Sequence, residues 1–379
     1  MGTLILKNAS LLSPRDGYNG TPADVLIEND RVAAIEAKID VAGKSIDLAG
    51  LTLSPGFIDI HVHTLMGENG EGHMTADACG VMRGNVAVID AGTTAPLVLD
   101  DFYRDSIAVS VTDQYVLLSG LHPANKRGDA LDVSLVTEDH YKRALDKYPD
   151  RVLGLKIVAS WSHVKNLGVV LVANAKEICT KLNLPLTVHI GNAPPDPCEF
   201  MQYMDRGDVI THTYNNKEAS IFLPDGTPKD FVKAARARGV LFDVGHGSAS
   251  YSYTTARKAF AKGFLPDLMG TDLYMPNQYG PVYGLSVVLS KLMAFGIPLE
   301  DCIDAVTHRA AEAYSIKGLG KLAVGEKANL TAFAVEDCSL TLKDSVGDEI
   351  TLSKLLSPKR VFRARGGQTL CIEPTLGTP

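Results

Sequence analysis

The chain has 379 residues, 45% of them hydrophobic and 21% charged, with a formal net charge of −7. This composition describes a globular protein able to bury a sizeable core and excludes extended disorder. The acidic balance, with no basic block and no interleaving of basic and aromatic residues, argues against nucleic acid as the main partner, and no apolar run of about 18 residues offers a membrane span.

Cys79, Cys179, Cys198, Cys302, Cys338 and Cys371 are scattered without a Cys-x-x-Cys pair, so they read as reduced thiols. The start, Met1-Gly2-Thr3-Leu4-Ile5-Leu6-Lys7, is too short and strand-like for a secretion signal, and the cytoplasm is the expected compartment. Apolar runs at 4–7, 24–27 and 32–35, punctuated by Pro14, Gly17, Gly20, Asn29 and Asp30, predict small antiparallel strands.

Pro55-Gly56 then breaks the chain ahead of Phe57-Ile58-Asp59-Ile60-His61-Val62-His63. Side chains alternate across a strand, so His61 and His63 project from one face and can grip one metal ion. Beyond them, short apolar runs alternate with amphipathic stretches. Strands are predicted at 57–63, 93–98, 115–119, 152–157, 186–189, 209–212, 241–244 and 268–271, and helices at 169–181, 229–238, 256–262 and 286–295. Eight strands of this kind predict an α/β fold, a (β/α)8 TIM barrel over residues 55–318, with catalytic groups at the carboxyl ends of its strands. Strand-like runs return at 329–335, 339–342 and 359–364. Neither end of the chain can bury an apolar face alone, so residues 1–54 and 319–379 are expected to form one composite β-sandwich domain.

The polar residues at the predicted strand ends are His61, His63, Lys156, His189, His212 and Asp272. Taken singly, each has a bland reading: a satisfied core histidine for His189 or His212, a helix N-cap for Asp272, a carboxylate-paired lysine for Lys156. Taken together they supply enough ligands for two divalent ions. Lys156, in Val152-Leu153-Gly154-Leu155-Lys156-Ile157, must find a partner or lose its charge, and carbamylation by carbon dioxide would turn it into a carboxylate-like bridge between metals. His246, in Asp243-Val244-Gly245-His246-Gly247-Ser248, either bonds its own loop or contacts the substrate, and the contact is the expectation. The glycine-rich loop at 66–73 is a candidate flap that also carries His73.

These motifs, with Ser54-Pro55-Gly56 before the first, Val188-His189-Ile190-Gly191, Thr211-His212-Thr213-Tyr214-Asn215 and Gly270-Thr271-Asp272-Leu273, resemble the amidohydrolase superfamily. The likeness is to its amidohydrolase/deacetylase metallohydrolase branch, often labelled dihydroorotase-like, and runs from about residue 3 to residue 365. It implies that His61, His63 and Asp272 hold one divalent ion, that His189 and His212 hold the other, and that carboxylated Lys156 bridges them. It also implies zinc as the favoured metal, with manganese, cobalt or iron able to replace it, Asp272 as the catalytic base, and a homo-oligomer.

Val158 stands where many relatives have arginine, Tyr274 where a histidine is often seen, and Thr64 where true dihydroorotases carry a carboxylate-gripping arginine. The expected activity is therefore hydrolysis of the acyl amide or ester of a small molecule, a deacetylase of N-acyl amino acids or O-acyl hydroxy acids. Cyclic-amide hydrolysis of the dihydroorotase or hydantoinase kind is the alternative. A non-catalytic scaffold protein is the third reading, and the complete ligand set speaks against it.

Overall fold

Apolar runs too short for a helix and bounded by turn formers become strands throughout this chain. In the computed structural model, which describes residues 2–65, 72–124, 131–377 and 379, five strands come first: β1 (Thr3–Ser13), β2 (Tyr18–Glu28), β3 (Arg31–Glu36), β4 (Lys44–Asp47) and β5 (Thr52–Pro55). Seven follow in the central part: β6 (Phe57–Val62), β7 (Asn85–Ala91), β8 (Asp113–Ser119), β9 (Val152–Ala159), β10 (Leu186–Ile190), β11 (Val209–Thr211) and β12 (Leu241–Phe242). Three close the chain: β13 (Leu330–Lys343), β14 (Glu349–Arg365) and β15 (Gln368–Ile372). Among the described residues no helix is long and apolar enough to cross a membrane.

β6 to β12 form one parallel sheet in chain order, the signature of repeated β-helix-β crossovers. Every residue of β6 and β7 is buried, as expected for strands covered on both faces. The sheet curls. Residues 268–273 bridge its two edges, with Asp243 paired to Leu268 and Val62 paired to Leu273, both parallel. This segment was expected as a regular strand and is not one, because carboxylates take its amides: Gly270 N donates to Asp243 Oδ1 at 2.6 Å and Thr271 N to Asp59 Oδ1 at 3.1 Å.

The second strand also differs from the expectation. It is Asn85–Ala91, whereas 93–98 forms a loop and the 3-10 turn Pro96–Val98. Both the amide and the hydroxyl of Thr93 bond Asp90, at 3.0 and 2.9 Å, and Pro96 has no N–H to give a ladder. The predicted helices appear as Gly168–Leu182, Asp230–Arg238, Tyr253–Ala261 and Leu285–Ala294. Asn183 and Gly239, both left-handed, stop the first two, and the Ser252 side chain caps the third.

The two ends of the chain meet in a single eight-stranded sheet of order β15-β14-β13-β5-β1-β2-β3, with β4 on β1. The junction is β5 against β13, Pro55 opposite Leu330 and Leu53 opposite Ala332. Phe333 of β13 lies 5.5 Å from Phe57 of β6, both rings fully buried, so one aromatic contact joins the terminal sheet to the parallel one. Truncating such a ring costs about 3–5 kcal/mol. β13 and β14 run on past the sheet as a long hairpin whose Leu342 and Leu352 pack on Val287 of helix Leu285–Ala294. That helix is therefore buried on nearly all sides.

Candidate metal centre

His61 and His63 leave β6 at its carboxyl end, with Val62 between them turned into the core. Each imidazole is held by a threonine that a buried aspartate holds in turn. His61 Nδ1 lies 3.0 Å from Thr211 Oγ1, which donates its proton to Asp243 Oδ2 at 2.6 Å. His63 Nδ1 lies 2.8 Å from Thr93 Oγ1, which donates to Asp90 Oδ2 at 2.9 Å. A hydroxyl has one proton, so each Nδ1 must carry its own; a neutral ring then offers Nε2 as a lone pair, which at His63 faces Asp272 Oδ1, so a cation or a shared proton must stand between those two atoms. His212 reaches the same state by another route: its Nδ1 donates to the Gly245 carbonyl at 2.6 Å, and its buried Nε2 has no hydrogen-bond partner among the described residues.

Ligand atoms of His61, His212 and Asp272 lie within 4.8 Å of one another. His63 joins them through Nε2, 2.8 Å from Asp272 Oδ1. Lys156 joins through Nζ, 3.2 Å from His61 Nε2, so its neighbour is an imidazole rather than the carboxylate of the bland reading. His189 stands outside the group of three but packs on His212 with ring centroids 4.0 Å apart. All six residues picked out at strand ends thus gather at one end of the parallel sheet. A cavity of about 710 Å³ lies at the other end, around Asp113 and Arg151 where strands begin. Side-chain chemistry locates the candidate site.

The electrostatics suit cation binding. Burial drives His61 and His189 well below the usual imidazole range and His212 to about 4, so all three are neutral and able to coordinate. Burial likewise lowers the Lys156 amine to about 8, against the pull of Asp272, Asp243 and Asp90. For Asp272, burial works against the carboxylate, but the contact with His63 and the neighbouring basic groups outweigh it and hold the group below its ordinary value. His212 and Asp272 both adopt positive φ, 64° and 54°. Strain of this kind costs about 1–3 kcal/mol per residue and gathers at functional sites.

The supporting residues were not foreseen. Asp59 accepts from Thr271 Oγ1 at 2.6 Å and pins the segment carrying Asp272 to β6, and burial raises it to about 7. Asp243, raised by burial to about 6, serves both Thr211 and Gly270 N. The available signal was an aspartate inside an apolar strand, as at Asp59 and Asp90.

His246, expected to contact the substrate, meets its own loop and a buried lysine. It is fully buried, and both ring nitrogens have protein partners, Lys291 Nζ at 2.9 Å and the Gly247 carbonyl at 3.0 Å. His73 stacks on His63 at 5.7 Å and bonds the Leu65 carbonyl, while residues 66–71 of the candidate flap lie outside the described residues. Tyr274 donates to Ser248 Oγ at 2.8 Å, with its ring 6.0 Å from His63, and Thr64 bonds Asp90 through both amide and hydroxyl.

Residues 52–362 match the amidohydrolase family. A deacetylase of Enterococcus faecalis is 34% identical over 355 residues, covering 91% of this chain and 93% of its own. A solved dihydroorotase structure superposes with a TM-score of 0.90 at 28% identity and covers 100% of both chains. An adenine deaminase structure gives 0.87 at 32% identity, over 98% of this chain and 100% of that one.

Proposed function

The chain belongs to the amidohydrolase family, whose hydrolases generally use divalent metals, and we propose that it cleaves the acyl amide or ester bond of a small molecule, as a deacetylase of N-acyl amino acids or O-acyl hydroxy acids. The observation that carries this reading is the His212 imidazole, with Nδ1 spent on Gly245 and a buried Nε2 that has no partner among the described residues, beside buried neutral histidines and Asp272. A buried nitrogen lone pair left unmatched is costly unless a cation takes it.

In this proposal His61, His63 and Asp272 would hold one divalent ion and His189 and His212 the other, and Lys156 would serve as a further ligand once its neutral amine has added to carbon dioxide, forming an N–C bond and releasing one proton. Zinc suits these donors best. When bound, such ions acidify a water molecule and polarise a carbonyl. Asp272, ionised and held by His63, accepts a proton from the attacking water and returns it to the leaving group. Thr211 and Thr93 keep His61 and His63 in the Nδ1–H form throughout. The proposal includes a (β/α)8 barrel at 55–318, a composite β-sandwich domain from 1–54 and 319–379, and a cytoplasmic homo-oligomer that engages neither nucleic acid nor membrane.

Cyclic-amide hydrolysis is the second reading, favoured by the overlay on the dihydroorotase structure. Against it, Thr64 follows His63 and is committed to Asp90. The test is to strip the protein with a chelator, restore zinc, manganese, cobalt or iron, and screen N-acyl amino acids, O-acyl hydroxy acids and cyclic imides. Metal-dependent release of a carboxylic acid from an acyl substrate is expected. Opening of cyclic imides alone would move the assignment to the second reading, and a protein that neither binds metal nor hydrolyses any of these would defeat both.

A further inference from the structure

The chemistry just proposed makes no use of a second buried lysine. Lys291, in helix Leu285–Ala294, is fully buried, and its Nζ donates to the carbonyls of Pro281 at 2.6 Å and Lys343 at 3.0 Å and reaches His246 Nε2 at 2.9 Å. An ammonium group only donates, so His246 Nε2 accepts, and Nδ1 carries the proton that goes to the Gly247 carbonyl at 3.0 Å. One amino group thus ties together three separate parts of the chain: the segment after Asp272, the end of β13, and the loop after β12.

The hairpin tip grips the same loop from another side. Ser345 Oγ donates its one proton to the Gly247 carbonyl at 2.8 Å, with the His246 carbonyl next nearest at 3.2 Å, and accepts from Tyr251 N at 3.2 Å. Ser345 N donates to the Tyr251 carbonyl at 3.1 Å, and Asp344 Oδ2 accepts from Tyr253 N at 2.7 Å. Asp344 also holds the tip itself, accepting from Val346 N and Asp348 N at 2.8 and 3.0 Å. On its inner side the loop meets the metal centre. The Gly245 carbonyl aims His212, Gly247 N donates to the Thr271 carbonyl at 2.9 Å, and Gly247 lies so near that a Cβ there would come 2.4 Å from Asp272 Oδ2.

We infer that the β13–β14 hairpin tip and Lys291 form a positioning element for the metal centre: through Lys343, Asp344 and Ser345 the terminal sheet holds the 245–248 loop in the arrangement that aims His212 and confines Asp272. This rests on the hydrolase reading of the centre. It gives the hairpin, which runs well beyond its sheet, a task a plain structural hairpin would lack. It also gives His246 a role as a link between Lys291 and the loop.

The test uses the whole metal-loaded protein and Ser345→Ala, which removes one hydroxyl from the tip, with Ser345→Thr as the rescue and Val346→Ala, at a residue 44% exposed, as the control. Three quantities are read: hydrogen exchange of residues 245–248, the rate of zinc loss to a chelator, and kcat and KM on the best acyl substrate. Ser345→Ala is expected to raise loop exchange and zinc loss by about tenfold and to lower kcat by a similar factor, the scale of one lost hydrogen bond. KM should stay within about twofold, as for an interaction that acts on the transition state rather than on ground-state binding. Ser345→Thr should restore all three, and Val346→Ala should match the wild type. Unchanged loop exchange, or faster exchange with unaltered zinc loss and kcat, overturns the inference. A wild-type protein that takes up no divalent ion defeats the hydrolase reading instead, and the exchange measurement still decides whether the tip holds the loop.

Discussion

Replacing Gly247 by alanine adds one methyl group beside Asp272, and its cost divides into two parts. Gly247 has a φ of +56°, in the left-handed region, so any side chain there costs about 1–2 kcal/mol of backbone energy. In addition, the new Cβ would lie 2.4 Å from Asp272 Oδ2 and 3.3 Å from its Cγ. To restore ordinary contact the carboxylate must retreat by roughly 1 Å, and a misplacement of that size costs about 10²-fold in rate. Gly263 separates the two parts: its φ is +77°, but an added Cβ would meet nothing within 4 Å. Urea denaturation should show Gly263→Ala losing about 1–2 kcal/mol and Gly247→Ala at least as much. Only Gly247→Ala should lose about 10²-fold in kcat together with metal content. Equal activity in the two variants would show that Asp272 does not need the place the loop leaves it.

Alanine at His61, His63, His189 or His212 should lower metal content and turnover together, and unchanged metal in all four variants would sink the ligand assignment. Asp272→Asn should abolish turnover more completely than metal binding, because an amide oxygen still coordinates but takes no proton; a near-normal kcat would remove its role as base. Away from the centre, burial alone would raise Asp16, yet bonds from His308, Leu322 N and Ser13 outweigh it and bring the group to about 2 from an ordinary 3.8. A depressed carboxylate stabilises the fold above its unfolded value, so stability should fall as pH drops from about 4 to about 2, and Asp16→Asn should flatten that part of a denaturation-against-pH curve.

The centre was legible in the sequence because its donors sit at the ends of short apolar strands, where barrel chemistry must lie and where a histidine or lysine stands out. Asp272 was found this way although the segment carrying it is not a regular strand. What escaped were relations between distant residues. Nothing local says that Thr211 donates to Asp243 or that Thr93 folds back on Asp90. The same bond explains the misplaced second strand, since Thr93 and Thr94 look like strand formers until Asp90 turns the chain. Similarly, the meeting of β5 with β13 was accessible from the shortage of apolar surface at each end, whereas the reach of the hairpin tip to His246 depends on register and shows only in three dimensions.

The central claim is a pair of divalent ions held by these six side chains, and it is tested most directly by a high-resolution crystal structure of the zinc-loaded enzyme with anomalous data at the metal edge. Two metal peaks are expected, one among His61, His63 and Asp272 and one at His189 and His212, with continuous density for a carbamate on Lys156 touching both. Two occupied metal positions with an unmodified Lys156 turned away, in crystals of protein that hydrolyses its substrate, would contradict the claim.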